Sequence, residues 1–171
     1  MQKNISGLAI GGRFKVECFD RFGKLRWVDY IENAFTNVGL NEVLDVMLGS
    51  VAKPNLYLLL IKDDNYTGLA NGDTMASHAG WEEFQDYDET TRPAITFGAA
   101  DDQVISNSTV VEFNINADNT LKGAGIVTNN VKSPGTAGIL MCTGLFVGGD
   151  REAKDGDLQK VTYECTASRP A

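Results

Sequence analysis

The only histidine of the chain, His78, stands in Ser77-His78-Ala79-Gly80-Trp81, and a serine beside an imidazole is the pairing from which an acyl-transfer nucleophile is built. Such a site also needs a carboxylate to orient the imidazole and, in its α/β-hydrolase version, a strained G-x-S-x-G elbow, which does not occur in this sequence. With one histidine and no CxxC pair, the ligands of a structural zinc site are missing too. His78 is therefore expected to anchor its loop through a hydrogen bond. Asp63, Asp64, Asn65 and Asp73 offer oxygens of the kind that bind Ca²⁺, but without the spacing of an EF-hand, and a solvated acidic loop is the expectation. Glu82, Glu83, Asp86, Asp88 and Glu89 could supply a glycosidase pair only at a defined separation across a cleft. They read as an acidic loop face. The chain is expected to be no enzyme, with no catalytic residue, cofactor or metal.

Among these carboxylates Trp81, Phe84 and Tyr87 recur at i, i+3 and i+6. Two readings compete. Aromatics in a polar loop can present a protein- or sugar-binding surface, or they can fold back and plug the end of the domain, as a lone large aromatic such as Trp81 tends to do. Arg92, just before Pro93, could pair with a preceding carboxylate and fix the exit of the loop.

These residues need a scaffold, and the sequence describes one. Residues 13–20 alternate, with Phe14, Val16 and Cys18 on one face and Arg13, Lys15 and Glu17 on the other, the period of a half-buried strand. A turn at Arg21-Phe22-Gly23-Lys24 leads into a second strand around Trp27, which makes a hairpin. Leu40, Val43, Leu44, Met47 and Leu48 then repeat at helical spacing, with Thr36 or Asn37 to cap the start and Gly49 to end it. A helix of about three turns must lean on a sheet to be stable, so this stripe is expected to be buried. Leu56-Tyr57-Leu58-Leu59-Leu60-Ile61 reads as a strand buried on both faces. Residues 63–91 lose the pattern and form a segment too long for a passive connection, either a functional surface loop or an assembly arm. Further strands are expected at 94–98, 109–116, 121–128, 139–147 and 158–166. The fold class is mostly β, a jelly-roll-like β-sandwich of about eight strands with one short α-helix. Residues 1–12 are expected to form an extended N-terminal arm, and 13–171 a single sandwich domain.

Composition bounds the partners. The 171 residues are 43% hydrophobic and 22% charged, ordinary values for one globular domain, and 18 glycines point to many turns. A formal net charge of -8 repels phosphate backbones, so no nucleic acid is expected. No apolar run reaches membrane-spanning length, and the start has too short an apolar stretch for a signal peptide. Synthesis in a cytoplasm and no membrane partner are the expectation. Cys18, Cys142 and Cys165 form no even framework and read as buried free thiols.

The run DTMASHAGWEEFQDYDETTRPAITFGAA at 73–100, followed by ISNS, FNINADNTLKGAGIVTNN and GLFVGGD, resembles tailed-bacteriophage virion structural proteins. The opening GRFKVECFDRFGKLRW, then NAFTNVGLNEVLDVML, is similar to the start of capsid decoration (cement) proteins, where a hairpin precedes a helix. The resemblance implies a jelly-roll-like β-sandwich on the outer surface of the virion's icosahedral capsid. There it would bridge neighbouring major capsid proteins as a homo-oligomer, after synthesis in the bacterial host cytoplasm. The alternative is a head-fibre or tail-associated receptor- or glycan-binding module. The capsid contacts are expected at Ile5, Leu8 and Ile10, apolar side chains between glycines of the arm, and at Trp81, Phe84, Tyr87 and Arg92 of the long loop.

Overall fold

The computed structural model describes residues 7–169. Phe14, Val16 and Cys18 point inward from β1 (Ala9–Phe19), which pairs antiparallel with β11 (Leu158–Ser168) along its whole length and with β2 (Leu25–Phe35) from Gly12 onward. Ladder hydrogen bonds on both sides satisfy the backbone there. The arm expected at 1–12 is therefore corrected: residues 9–12 belong to β1, held by β11. Gly12 is needed because a Cβ there would come within 2.4 Å of Asn33 Oδ1 and closer still to the Tyr163 hydroxyl. At the hairpin turn the Asp20 carboxylate accepts from the amides of Phe22 and Lys24 at 2.9 Å each, and Gly23 takes φ +78°.

The remaining strands are β3 (Leu56–Lys62), β4 (Glu82–Phe84), β5 (Ala94–Ile95), β6 (Val104–Ser106), β7 (Val111–Asn114), β8 (Asn119–Val127), β9 (Leu140–Phe146) and β10 (Arg151–Ala153). All pairings are antiparallel, in the order β4-β3-β8-β9-β2-β1-β11-β6, with β5 also on β3, β7 also on β11 and β10 on β8. The fold is mostly β, as expected, but its eleven strands make one sheet. That sheet curls until its ends meet: Phe97 bridges to Asn107 and Tyr87 to Ile115, and the Asp88 amide donates to the Asn114 carbonyl at 2.8 Å. Opposite walls of one curled sheet thus enclose the core as the two layers of a sandwich would. The interior holds Phe14, Ile31, Leu58, Leu60, Phe113 and Tyr163.

β3 is buried on both faces, as its unbroken apolar run requires. Leu58 and Leu60 face the barrel interior, while Leu59 and Ile61 face outward and are covered by Met75 and Trp81. The segment after Lys62 is therefore a packed cover over the outer wall. Burying several large side chains at about 25 cal/mol per Å² of apolar area holds it down.

The helix α1 (Asn37–Leu48) starts at Thr36, whose hydroxyl accepts from the Gly39 amide at 3.0 Å, and ends where the Gly49 amide donates to the Asp45 carbonyl. Its apolar stripe corrects the sequence expectation: Leu40, Leu44, Met47 and Leu48 are exposed, and the buried positions are Gly39 and Glu42. Gly39 is the reason. A Cβ there would fall 2.1 Å from the Met141 carbonyl oxygen, so the helix backbone lies directly on the start of β9. That contact, with the Thr36 amide donating to the same carbonyl at 3.0 Å, sets the rotation of α1 and turns Leu44 and Leu48 to solvent.

Candidate functional site

Four of the residues expected to reach a partner lie inside the molecule. Trp81 is 1% exposed; its indole N–H donates to Asp73 Oδ2 at 3.0 Å and its ring stacks on His78 at 4.0 Å between centroids. His78 Nδ1 lies 3.0 Å from the Trp81 carbonyl oxygen, so the histidine anchors its loop. Phe84 and Tyr87 are buried in the main core, where Tyr87 meets Phe113 edge-on at 5.0 Å, and burial pushes its phenol well above the usual range. Arg92 is 1% exposed and does pair with a preceding carboxylate. Its Nε and Nη2 donate to the two oxygens of Glu83 at 2.8 and 2.7 Å, while Nη1 donates to the Asn129 carbonyl and Nη2 also to the Gly135 carbonyl at 2.9 Å each. This fork ties the end of the long segment to the loop at 129–135. Partner contact through these four side chains is corrected: the plugging reading, not the surface reading, describes Trp81, because the outer face of β3 needs a cover.

The acidic groups of the same segment are also engaged. Asp63 receives Lys122 at 2.7 Å, Asp64 lies 3.4 Å from Lys62, and Asn65 donates to Glu82 at 2.9 Å. Lys62 and Asn65 together hold the Glu82 carboxyl below its ordinary value. A polar cavity of about 370 Å³ lies between Lys62, His78, Glu82, Glu83, Gln85 and Asp86. Among the described residues no three His, Cys, Asp or Glu side chains converge as a metal site would require.

The other end of the barrel has the opposite character. Leu8 is 56% exposed and Leu48 81%, and Leu40, Leu44, Met47 and Val51 are exposed as well. The two turns of α1 that carry the leucines thus present an apolar ridge to solvent, while the start of β1 brings Leu8 to the same end. Beneath the ridge, between α1 and the barrel mouth, is an apolar cavity of about 370 Å³ lined by Ile10, Phe35, Met47, Leu56, Phe97 and Cys165, among others. A second cavity of about 180 Å³ shares Val43, Met47, Lys53 and Leu56 with the first and adds Glu42, Val46 and Pro54. Of the expected contacts Leu8 and Ile10 thus belong to this apolar end, and Ile5 lies outside the described residues.

Exposed apolar side chains scattered singly are ordinary, as Phe22 is at the tip of the first hairpin. A contiguous set on one helix is the kind of surface that a partner can cover. Sequence reasoning found the stripe and assigned it to the core; Gly39, a glycine inside a helical pattern, was the signal that a backbone approaches closely on that side. The thiols are set by burial, which raises Cys18 and Cys142 to about 12 and Cys165 above its usual value. No known protein family matches the chain, and no curated protein is significantly similar to it.

Proposed function

We propose that this chain is a structural protein of a tailed-bacteriophage virion, which binds the outside of the icosahedral capsid and cements neighbouring major capsid proteins. The observation that carries the mode of binding is the apolar ridge of Leu40, Leu44, Met47 and Leu48, on a barrel whose long segment keeps Trp81, Phe84 and Tyr87 buried. The resemblance of 73–100 and of the opening hairpin and helix to such proteins supports the assignment to a virion. An apolar ridge over an apolar trough, backed by a closed barrel, suits docking of a rigid subunit onto a larger surface, because desolvating the leucines supplies the favourable free energy. The fibre alternative would use the Trp81 and Tyr87 loop, whose aromatic faces are buried.

Mixing purified protein with capsids that lack it tests the proposal. Saturation at many copies over the whole shell, with raised resistance to heat or chelator, is expected, because a ligand that binds only the assembled state stabilises it by mass action. Unchanged shell resistance at saturating protein, or copies confined to a vertex or tail, would contradict cementing.

A further inference from the structure

The barrel-mouth cavity under α1 has a floor, walls and a rim of different character. Ile126, Cys142 and Tyr163 form the floor and are buried, while half-buried apolar side chains from α1, β1, β2, β3 and β6 form the walls. Met47 and Lys53, both exposed, stand at the rim. A volume of about 370 Å³ at the mouth of a barrel lies at the small end of the range for pockets that hold an organic ligand. Unfilled apolar space leaves its lining short of contacts and offers water no partner, so hydrocarbon is the filling it favours.

Charge narrows the choice of hydrocarbon. Lys53 is the only charged side chain that lines this cavity; Glu42 lines the smaller neighbouring cavity and not this one. The Lys53 stem borders the cavity, and its ammonium lies 5.9 Å from the ring centroid of Phe97, another lining residue. It takes part in none of the ion pairs among the described residues. A hydrocarbon tail seated on the floor thus ends beside a cation that is free to receive an anion. The net charge of -8 opposes an anion only at long range, where salt screens it beyond about 8 Å, whereas Lys53 acts in contact. We propose that this cavity binds a free fatty carboxylate of medium chain length, with the tail against Ile126 and Tyr163 and the carboxylate beside the Lys53 ammonium. The site is separate from the docking ridge, because Leu40, Leu44 and Leu48 are not among its lining side chains.

The probe is decanoate, added below its micelle concentration to the full-length chain and followed by calorimetry and chemical shifts. One molecule is expected to saturate each chain and to shift Val43, Ile105 and Ile126, while Leu44 and Leu48 stay unchanged. Octanoate should bind about fifteenfold more weakly, since each buried methylene is worth about fourfold in affinity. Decyltrimethylammonium should bind about fivefold more weakly than decanoate, the scale of an exposed charge contact. Lys53→Glu should reverse that order, and because Lys53 is exposed the variant should melt as the parent does. Absence of saturable binding, or shifts confined to the ridge, would overturn the site. Equal binding of the two head groups, or an unchanged order in the K53E variant, would overturn the carboxylate. A marked gain in decanoate affinity on deleting residues 1–6 would make that segment the occupant, and co-sedimentation with phosphatidylglycerol vesicles without binding of decanoate would make it a bilayer; either result overturns a free ligand.

Discussion

Trp81 and Leu44 exchange the roles that their sequence contexts suggest. Trp81 lies in a polar, acidic stretch and is buried against β3, so Trp81→Ala should cost about 3–5 kcal/mol, the range for emptying a large aromatic site. Leu44 lies in a regular apolar stripe and is 55% exposed, so Leu44→Ala should leave stability within about 0.5 kcal/mol of the parent. Thermal melts of the two variants check both, and the reverse ranking would mean that α1 is rotated. Arg92 is held in a buried ion pair, and its loss would strand Glu83; Arg92→Ala should therefore destabilise by about 3–5 kcal/mol, while the double change Arg92→Met with Glu83→Leu should cost markedly less. Buried thiols make stability depend on alkali. Burial and the Asp157 carboxylate raise Cys18 from 9.0 to about 12, and burial does the same for Cys142. Both are neutral acids whose folded value exceeds the unfolded one, so their contribution is complete below 9.0 and is lost as pH climbs toward about 12. Cys142→Ala should flatten that alkaline decline in a melting-temperature profile, and an unchanged slope would place the titration elsewhere.

At the scale of elements, the long strands and the helix were legible because each has a period that its surroundings respect. β1 alternates, β3 is apolar throughout, and α1 has its cap at Thr36 and its stop at Gly49. The short strands β4, β6 and β10, of three residues each, have no period to read; their pairing is set by neighbours far along the chain. Helical spacing identified α1 but could not say which face is inward, because amphipathicity assumes that the apolar side meets the core. A glycine that lets backbone touch backbone overrides that assumption. Gly39→Ala should push the helix off the Met141 carbonyl and lower stability by about 1–3 kcal/mol, the usual cost of overpacking, whereas alanine at a solvent-facing helical glycine would stabilise. A rise in melting temperature would show that α1 does not rest on β9. Residues 63–91 have the composition of a loop, yet they include β4, and only the doubly apolar β3 hints that something must lie over its second face.

For the whole molecule, closure of the sheet and packing of the long segment leave, among the described residues, an apolar ridge on α1 exposed. A mostly β domain was legible in the sequence; the exposure of the apolar ridge was not, since that depended on the rotation of a single helix. Cementing of a capsid through this end is the proposed role. It is tested most directly by titrating the Leu44→Glu, Leu48→Glu double variant and the unaltered protein onto capsids that lack the subunit, and counting bound copies. Both positions are exposed, so the variant should fold and melt as the parent does. The unaltered protein should coat the shell and raise its resistance to heat, and the variant should lose occupancy and leave the shell unprotected. Full occupancy by the folded variant would contradict cementing through this end.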